Sequence, residues 1–72
     1  SLRSASLNVS QASSVLQVAD GGAEQIQQAL GRLNELATQA NSGTLSAANR
    51  EALNREFTQV RAEIGRIARE TN

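Results

Sequence analysis

Apolar residues recur along the first forty positions in unbroken steps of three and four: Leu2, Ala5, Val9, Ala12, Leu16, Ala19, Ala23, Ile26, Leu30, Leu33, Ala37 and Ala40. A 3.5-residue repeat sustained in this way is the pattern of a helix that supercoils against neighbours. Half of these seam positions are alanine, which lets helix axes approach closely. A second, weaker stripe runs Val15, Val18, Ala29 and Leu36, interrupted by Gly22, Gln25 and Arg32. A helix with two apolar stripes expects more than one neighbour.

The tract Asn41-Ser42-Gly43-Thr44-Leu45-Ser46 interrupts the repeat. Gly43 is expected to take the left-handed conformation that ends many helices, with Asn41 as the fallback. Ser46 is then the expected N-cap of a second helix, with Thr44 as the alternative. Leu53, Phe57, Val60, Ile64 and Ile67 follow in steps of four and three. On the polar face, Glu51 with Arg55 and Glu63 with Arg66 stand at helical pairing distance, each pair expected to add ~0.2–0.5 kcal/mol. The pattern therefore predicts an all-α chain: a long helix over about 2–41, and a shorter antiparallel helix over about 46–70. The short loop imposes the antiparallel arrangement.

Gly21-Gly22 is the flaw in the long helix, at roughly 1 kcal/mol per glycine relative to alanine. A kink or boundary there is the plainer reading, but the heptad keeps its phase across the pair, so one continuous helix is expected, with close backbone contact at the glycines. The long helix spans ~58 Å and the short one ~36 Å. Folded back, the short helix reaches only to around Leu16. Leu2, Ala5, Val9 and Ala12 then carry an apolar seam with nothing in the chain to cover it, and such a surface marks an interaction site. The expectation is an incomplete bundle or coiled coil that lacks one helix. Its seam is Leu2, Val9, Leu16, Ile26, Leu30 and Leu33 against Leu53, Phe57, Val60, Ile64 and Ile67.

Composition narrows the function. The chain has 72 residues, no cysteine and no histidine, so disulfides and the usual transition-metal ligands are excluded. A domain this small needs a staple or a partner, and a partner is what remains. Seven basic residues, all arginine, balance seven acidic ones, and Phe57 is the only aromatic. Nucleic-acid binding would need a basic patch and stacking platforms. No apolar run approaches the ~20 residues that span a bilayer, and no signal peptide is visible. Ser4, Ser6, Ser10, Ser13 and Ser14 lie near the start of the long helix with no base to activate them. Asp20-Gly21-Gly22 lacks the strand and spacing of a phosphate loop. Neither catalysis nor a cofactor is expected. Beginning without Met and stopping at Thr71-Asn72, the chain reads as a single fragment of a larger domain.

The stretch Leu30-Gly31-Arg32-Leu33-Asn34-Glu35-Leu36-Ala37-Thr38-Gln39-Ala40-Asn41-Ser42-Gly43-Thr44 resembles the most recognisable segment of the flagellin N-terminal region. Upstream, Ala12 to Ile26 resembles that family's small and apolar stretch leading into an acid-glycine pair, here Asp20-Gly21. Downstream, Leu45 to Gln59 and on through Glu63, Ile64, Arg66 and Ile67 is similar to its second helix. The resemblance implies the N-terminal part of the flagellin core domain, completed by a helix from near the C-terminus of the same protein. It further implies a structural subunit of the bacterial flagellar filament, packed on other flagellin subunits. Such a subunit is extracellular, exported without a cleaved signal peptide, and served by a flagellar export chaperone.

The resemblance also implies recognition by a vertebrate Toll-like receptor. The matching positions are Arg32, Leu36 and Glu56, with Glu35 and Gln39 flanking and Gln28 and Gln59 at the rim. Arg32 and Leu36 share a helix face, and an exposed Leu beside an Arg suits an interface anchor. The plainer expectation is that Leu36 packs on a neighbouring helix and Arg32 with Glu35 is a surface pair. Gly31 and Asn34 depart from the longer polar residues common in the family. Two other readings stand beside this one, a hook–filament junction protein and a generic coiled-coil interaction module. The isolated chain is expected to self-associate through its uncovered seam.

Overall fold

The computed structural model describes residues 1–71. Helix α1 runs Leu2–Ala40 and helix α2 runs Ala47–Glu70. They form an antiparallel hairpin about 67 Å long and 15 Å wide. α1 starts on Ser1, whose hydroxyl accepts from the Ser4 N–H at 3.2 Å. It continues through Gly21 and Gly22 without a break. α2 starts on Ser46, whose hydroxyl accepts from the Asn49 N–H at 3.1 Å. Thr71 ends it, its N–H and its hydroxyl both donating to the Ile67 carbonyl.

The end of α1 differs from expectation. No described residue has a positive φ, Gly43 included, so the left-handed cap is absent. Asn41 instead stays right-handed at φ −79°, its N–H reaching the Ala37 and Thr38 carbonyls, and Ser42 N–H reaches Gln39. The remaining carbonyls are met from α2: the Arg50 guanidinium donates to the Ala40 carbonyl and, at 2.9 Å, to the Ser42 carbonyl. A cationic donor at the negative end of a helix does the work a glycine C-cap would otherwise do.

The row of α1 that meets α2 is Gly22, Ile26, Ala29, Leu33, Leu36 and Ala40, every one buried or half-buried. It draws Ile26, Leu33 and Ala40 from the main seam and Gly22, Ala29 and Leu36 from the second stripe. Opposite lie Leu53, Phe57, Val60, Ile64 and Ile67 of α2, also buried or half-buried. Leu36, 1% exposed, and Ile67, 3% exposed, are the two most deeply buried side chains of this core, one toward each end of it. Leu36 is therefore packed between the helices, and the expectation of an exposed leucine there is corrected.

Coverage of α1 is shorter than the helix lengths alone imply. Thr71 lies against Gly22, so α2 ends there and does not reach Leu16. The six-residue connection and the first turn of α2 extend past the end of α1, as Arg50 reaching back to Ala40 shows. Leu16 and Leu30, expected under α2, are 64% and 53% exposed. The pairs Glu51–Arg55 and Glu63–Arg66 do not form either. Arg66 instead pairs one turn forward with Glu70 at 2.8 Å.

Candidate interaction surfaces

Three features stand out once the hairpin is closed. The first is the crossing at Gly22. An ideal Cβ there would clash with the Thr71 methyl and lie 3.0 Å from the Thr71 Cβ. The absence of a side chain thus sets how closely the end of α2 approaches α1. Gly21, one position away, would meet nothing. The paired glycines have separate roles that their sequence does not distinguish.

The second is an ion-pair triad on one flank of the core row. Arg32 Nε and Nη2 donate to Glu56 Oε1 at 2.8 and 2.6 Å, and Nη1 donates to Glu35 Oε2 at 3.1 Å. The Arg32 and Glu56 side chains are each 41% exposed, so water screens the pair only in part. Hydrogen bonding to Glu56 first, and to Glu35 second, pushes the guanidinium above its ordinary pKa. It stays cationic at any pH the fold meets. Two carboxylates about one guanidinium leave the cluster with a net negative charge.

At 100° per residue, Gln28, Arg32, Glu35 and Gln39 fall to one side of the Leu36 row. Gln28, Glu35, Gln39 and Gln59 are all exposed. Gln39 and Glu56 share a shallow groove there with Leu45, Asn49 and Ala52. The arrangement is a polar ridge with the triad at its centre. Leu36 lies beneath it as support.

The third feature is apolar and lies on the opposite flank. Leu2, Val9, Leu16 and Leu30 all project from α1 into open space, with Leu2 92% and Val9 69% exposed. Ala23 and Ala37 complete this row, exposed as well. The row runs into an open groove at the loop end, floored by Leu36, Leu53 and Phe57 and edged by Arg50 and Asn54. Above the end of α2 the second stripe is bare too, at Val15 and Val18. Long helices in water do not keep such rows uncovered without a partner.

Arg50, which closes the loop end by donating to the Ala40 and Ser42 carbonyls, is the side chain that periodicity missed. Its only trace in the sequence is a lone arginine one turn into a helix after a short loop. Among the described residues no group of acidic side chains is placed to hold a metal ion. No described helix is long and apolar enough to cross a membrane.

Comparison with known proteins places the chain in a family. The model of the bacterial flagellin N-terminal helical region matches residues 1–72. The flagellar filament 41 kDa core protein of Borreliella burgdorferi is 39% identical over 67 residues, covering 93% of this chain and 20% of that protein. Flagellin A of Vibrio cholerae is 37% identical over 65 residues, covering 90% of this chain and 17% of that protein. Flagellin E of the same organism is 35% identical over the same length. The chain thus spans about a fifth of the length of the curated relatives it matches. No solved structure matches.

Proposed function

The chain belongs to the bacterial flagellin N-terminal helical family, and from that premise we propose that it is part of a structural subunit of the flagellar filament, working by helix packing and not by catalysis. The observation that carries this reading is the bare apolar row Leu2, Val9, Leu16, Leu30. It is a third-helix site that α2 leaves open along the whole of α1. Its partner within the subunit is a helix from near the C-terminus of the same protein. Neighbouring flagellin subunits meet the remaining faces. The assembled protein lies outside the cell, exported without a cleaved signal peptide after handling by an export chaperone. The relatives named above are filament proteins, which favours the filament over a hook–filament junction. The family match takes the place of a generic coiled-coil module.

The polar ridge is the second contact surface of this proposal. Arg32, Glu35, Gln39 and Glu56, with Gln28 and Gln59 at the rim, present charged and amide groups for a neighbouring subunit or a vertebrate Toll-like receptor. Leu36 takes part from below, by holding Arg32 and Glu56 in register, and not as an exposed anchor.

The filament reading is tested with the full-length protein. Leu16→Asp and Leu30→Asp should abolish polymerisation, and Glu51→Ala should leave it intact. Polymerisation of the aspartate variants at the unaltered rate would overturn the reading. For the receptor, Arg32→Ala with Glu56→Ala should remove signalling by soluble full-length protein of unchanged helicity. Undiminished signalling would remove the receptor from the proposal.

A further inference from the structure

The two flanks of α2 carry opposite charge. At 100° per residue, Arg50, Asn54, Phe57 and Arg61 fall on the flank beside the bare row of α1. Glu56, Glu63 and Glu70 fall on the flank beside Arg32. Contacts fix both sides: Arg50, Asn54 and Phe57 line the open groove with Ala37 of the bare row, and Glu56 bonds Arg32. Arg69 joins the groove flank at its outer edge, its Nη1 lying 3.2 Å from where a Cβ on Gly65 would stand. Glu51, Arg55 and Arg66 stand toward the back of α2, turned away from α1. On the α1 side of the groove, Ala19, Ala23, Ile26, Leu30 and Ala37 carry no charge, and Asp20 and Glu24 point away. The charged groups that face the groove are therefore all cations.

Among these cations Arg50 is already engaged, its guanidinium donating to the Ala40 and Ser42 carbonyls. Arg61 is not. It is exposed and has no ion-pair partner among the described residues. The positions three and four away from it are Phe57, Thr58, Ile64 and Gly65, so its own helix offers no acidic group at pairing distance. A helix laid along the bare row would pass beside Arg61 and take water from it. A guanidinium partly stripped of water and left unanswered is costly.

We propose that Arg61 selects the third helix by charge: the helix that covers the bare row carries a carboxylate on the edge that meets α2, opposite Arg61. The occupant follows from charge complementarity. An apolar seam alone fits any amphipathic helix, whereas a cationic lip favours an acidic edge and rejects a basic one. The same helix is turned away from the other flank of α2, where Glu63 has no ion-pair partner among the described residues and would repel it. The inference rests on the third-helix reading and gives that partner its chemistry.

The test uses the soluble, unpolymerised full-length protein. Arg61→Glu should lower its thermal midpoint by several degrees at low salt and by less at high salt, where screening weakens the new repulsion. Glu63→Arg, an equal charge change on the other flank, should leave the midpoint close to the unaltered value. In the Arg61→Glu background, the acidic residues of the helix near the C-terminus are then changed to arginine one at a time. One of these reversals should restore the midpoint, and by itself should lower it. An unchanged midpoint in Arg61→Glu, or a loss that no reversal restores, overturns the proposal. So does an unaltered midpoint with slowed polymerisation, which would put a second subunit opposite Arg61. The filament reading is judged separately, on the polymerisation of the Leu16→Asp protein, and stands if Arg61 alone fails.

Discussion

Replacing Gly22 and Gly21 by alanine, one at a time, should have unequal effects on stability, with only the Gly21 variant gaining. Both sit inside a continuous helix, so each alanine gains about 1 kcal/mol of helix propensity. At Gly21 nothing lies within 4 Å of the new methyl, and that gain stands alone. At Gly22 the methyl meets the Thr71 methyl, and the Thr71 Cβ at 3.0 Å prevents side-chain rotation from relieving the contact. Overpacking of this kind costs about 1–3 kcal/mol, so the net effect runs from about zero to 2 kcal/mol destabilising. The two variants should therefore differ by about 1–3 kcal/mol. Urea unfolding of the hairpin, followed by helical circular dichroism at one fixed protein concentration, measures the difference. Thr71→Ala removes the clashing methyl and should recover most of the Gly22→Ala loss in a double-mutant cycle, which also subtracts the lost hydroxyl bond to Ile67. A Gly22→Ala variant as stable as Gly21→Ala would show that the helices do not cross closely there. The register drawn from that crossing would then fall.

Other expectations can be checked with the same material. Leu36→Ala should cost about 2–5 kcal/mol, as for a fully buried leucine, whereas Val18→Ala should stay within about 0.5 kcal/mol in the hairpin. Equal losses would mean the core row is misplaced. Arg50→Ala should speed amide exchange across Asn41–Ser46 and cost about 1 kcal/mol, with Arg50→Lys recovering part of it. Unchanged exchange would show that the loop closes without the guanidinium. The isolated hairpin should associate with rising concentration in sedimentation, because its apolar row is bare. A sharp monomer at all concentrations would contradict that.

The helices, their caps at Ser46 and the packed face of α2 were legible because one strong stripe leaves a single choice. α1 was harder. Its two adjoining stripes let α2 settle on a row shared between them, and periodicity alone does not say which row an internal partner takes. That ambiguity hid the burial of Leu36 and the exposure of Leu30. Reach was overestimated because helix lengths ignore where the loop delivers the first turn of α2. The end of α1 departs from its local pattern for a related reason. Gly43 satisfies a local rule, but a guanidinium from the other helix met the same carbonyls and left the glycine with nothing to do. The surface pairs failed by competition: Arg66 found Glu70, and Glu63 was left alone. The triad drew Arg32 across to Glu56, 24 residues away, which no local spacing announces.

The central claim is that the row Leu2, Val9, Leu16, Leu30 is a built site for another helix, and cysteine reactivity tests it most directly. Leu16→Cys and Leu30→Cys are placed one at a time in the dilute 72-residue hairpin and in the full-length filament, and alkylation rates are compared. The account predicts free reaction in the hairpin and at least hundredfold slower reaction in the filament. Equal rates in the two would show that the row is solvent-facing in the finished assembly, and the account would be wrong.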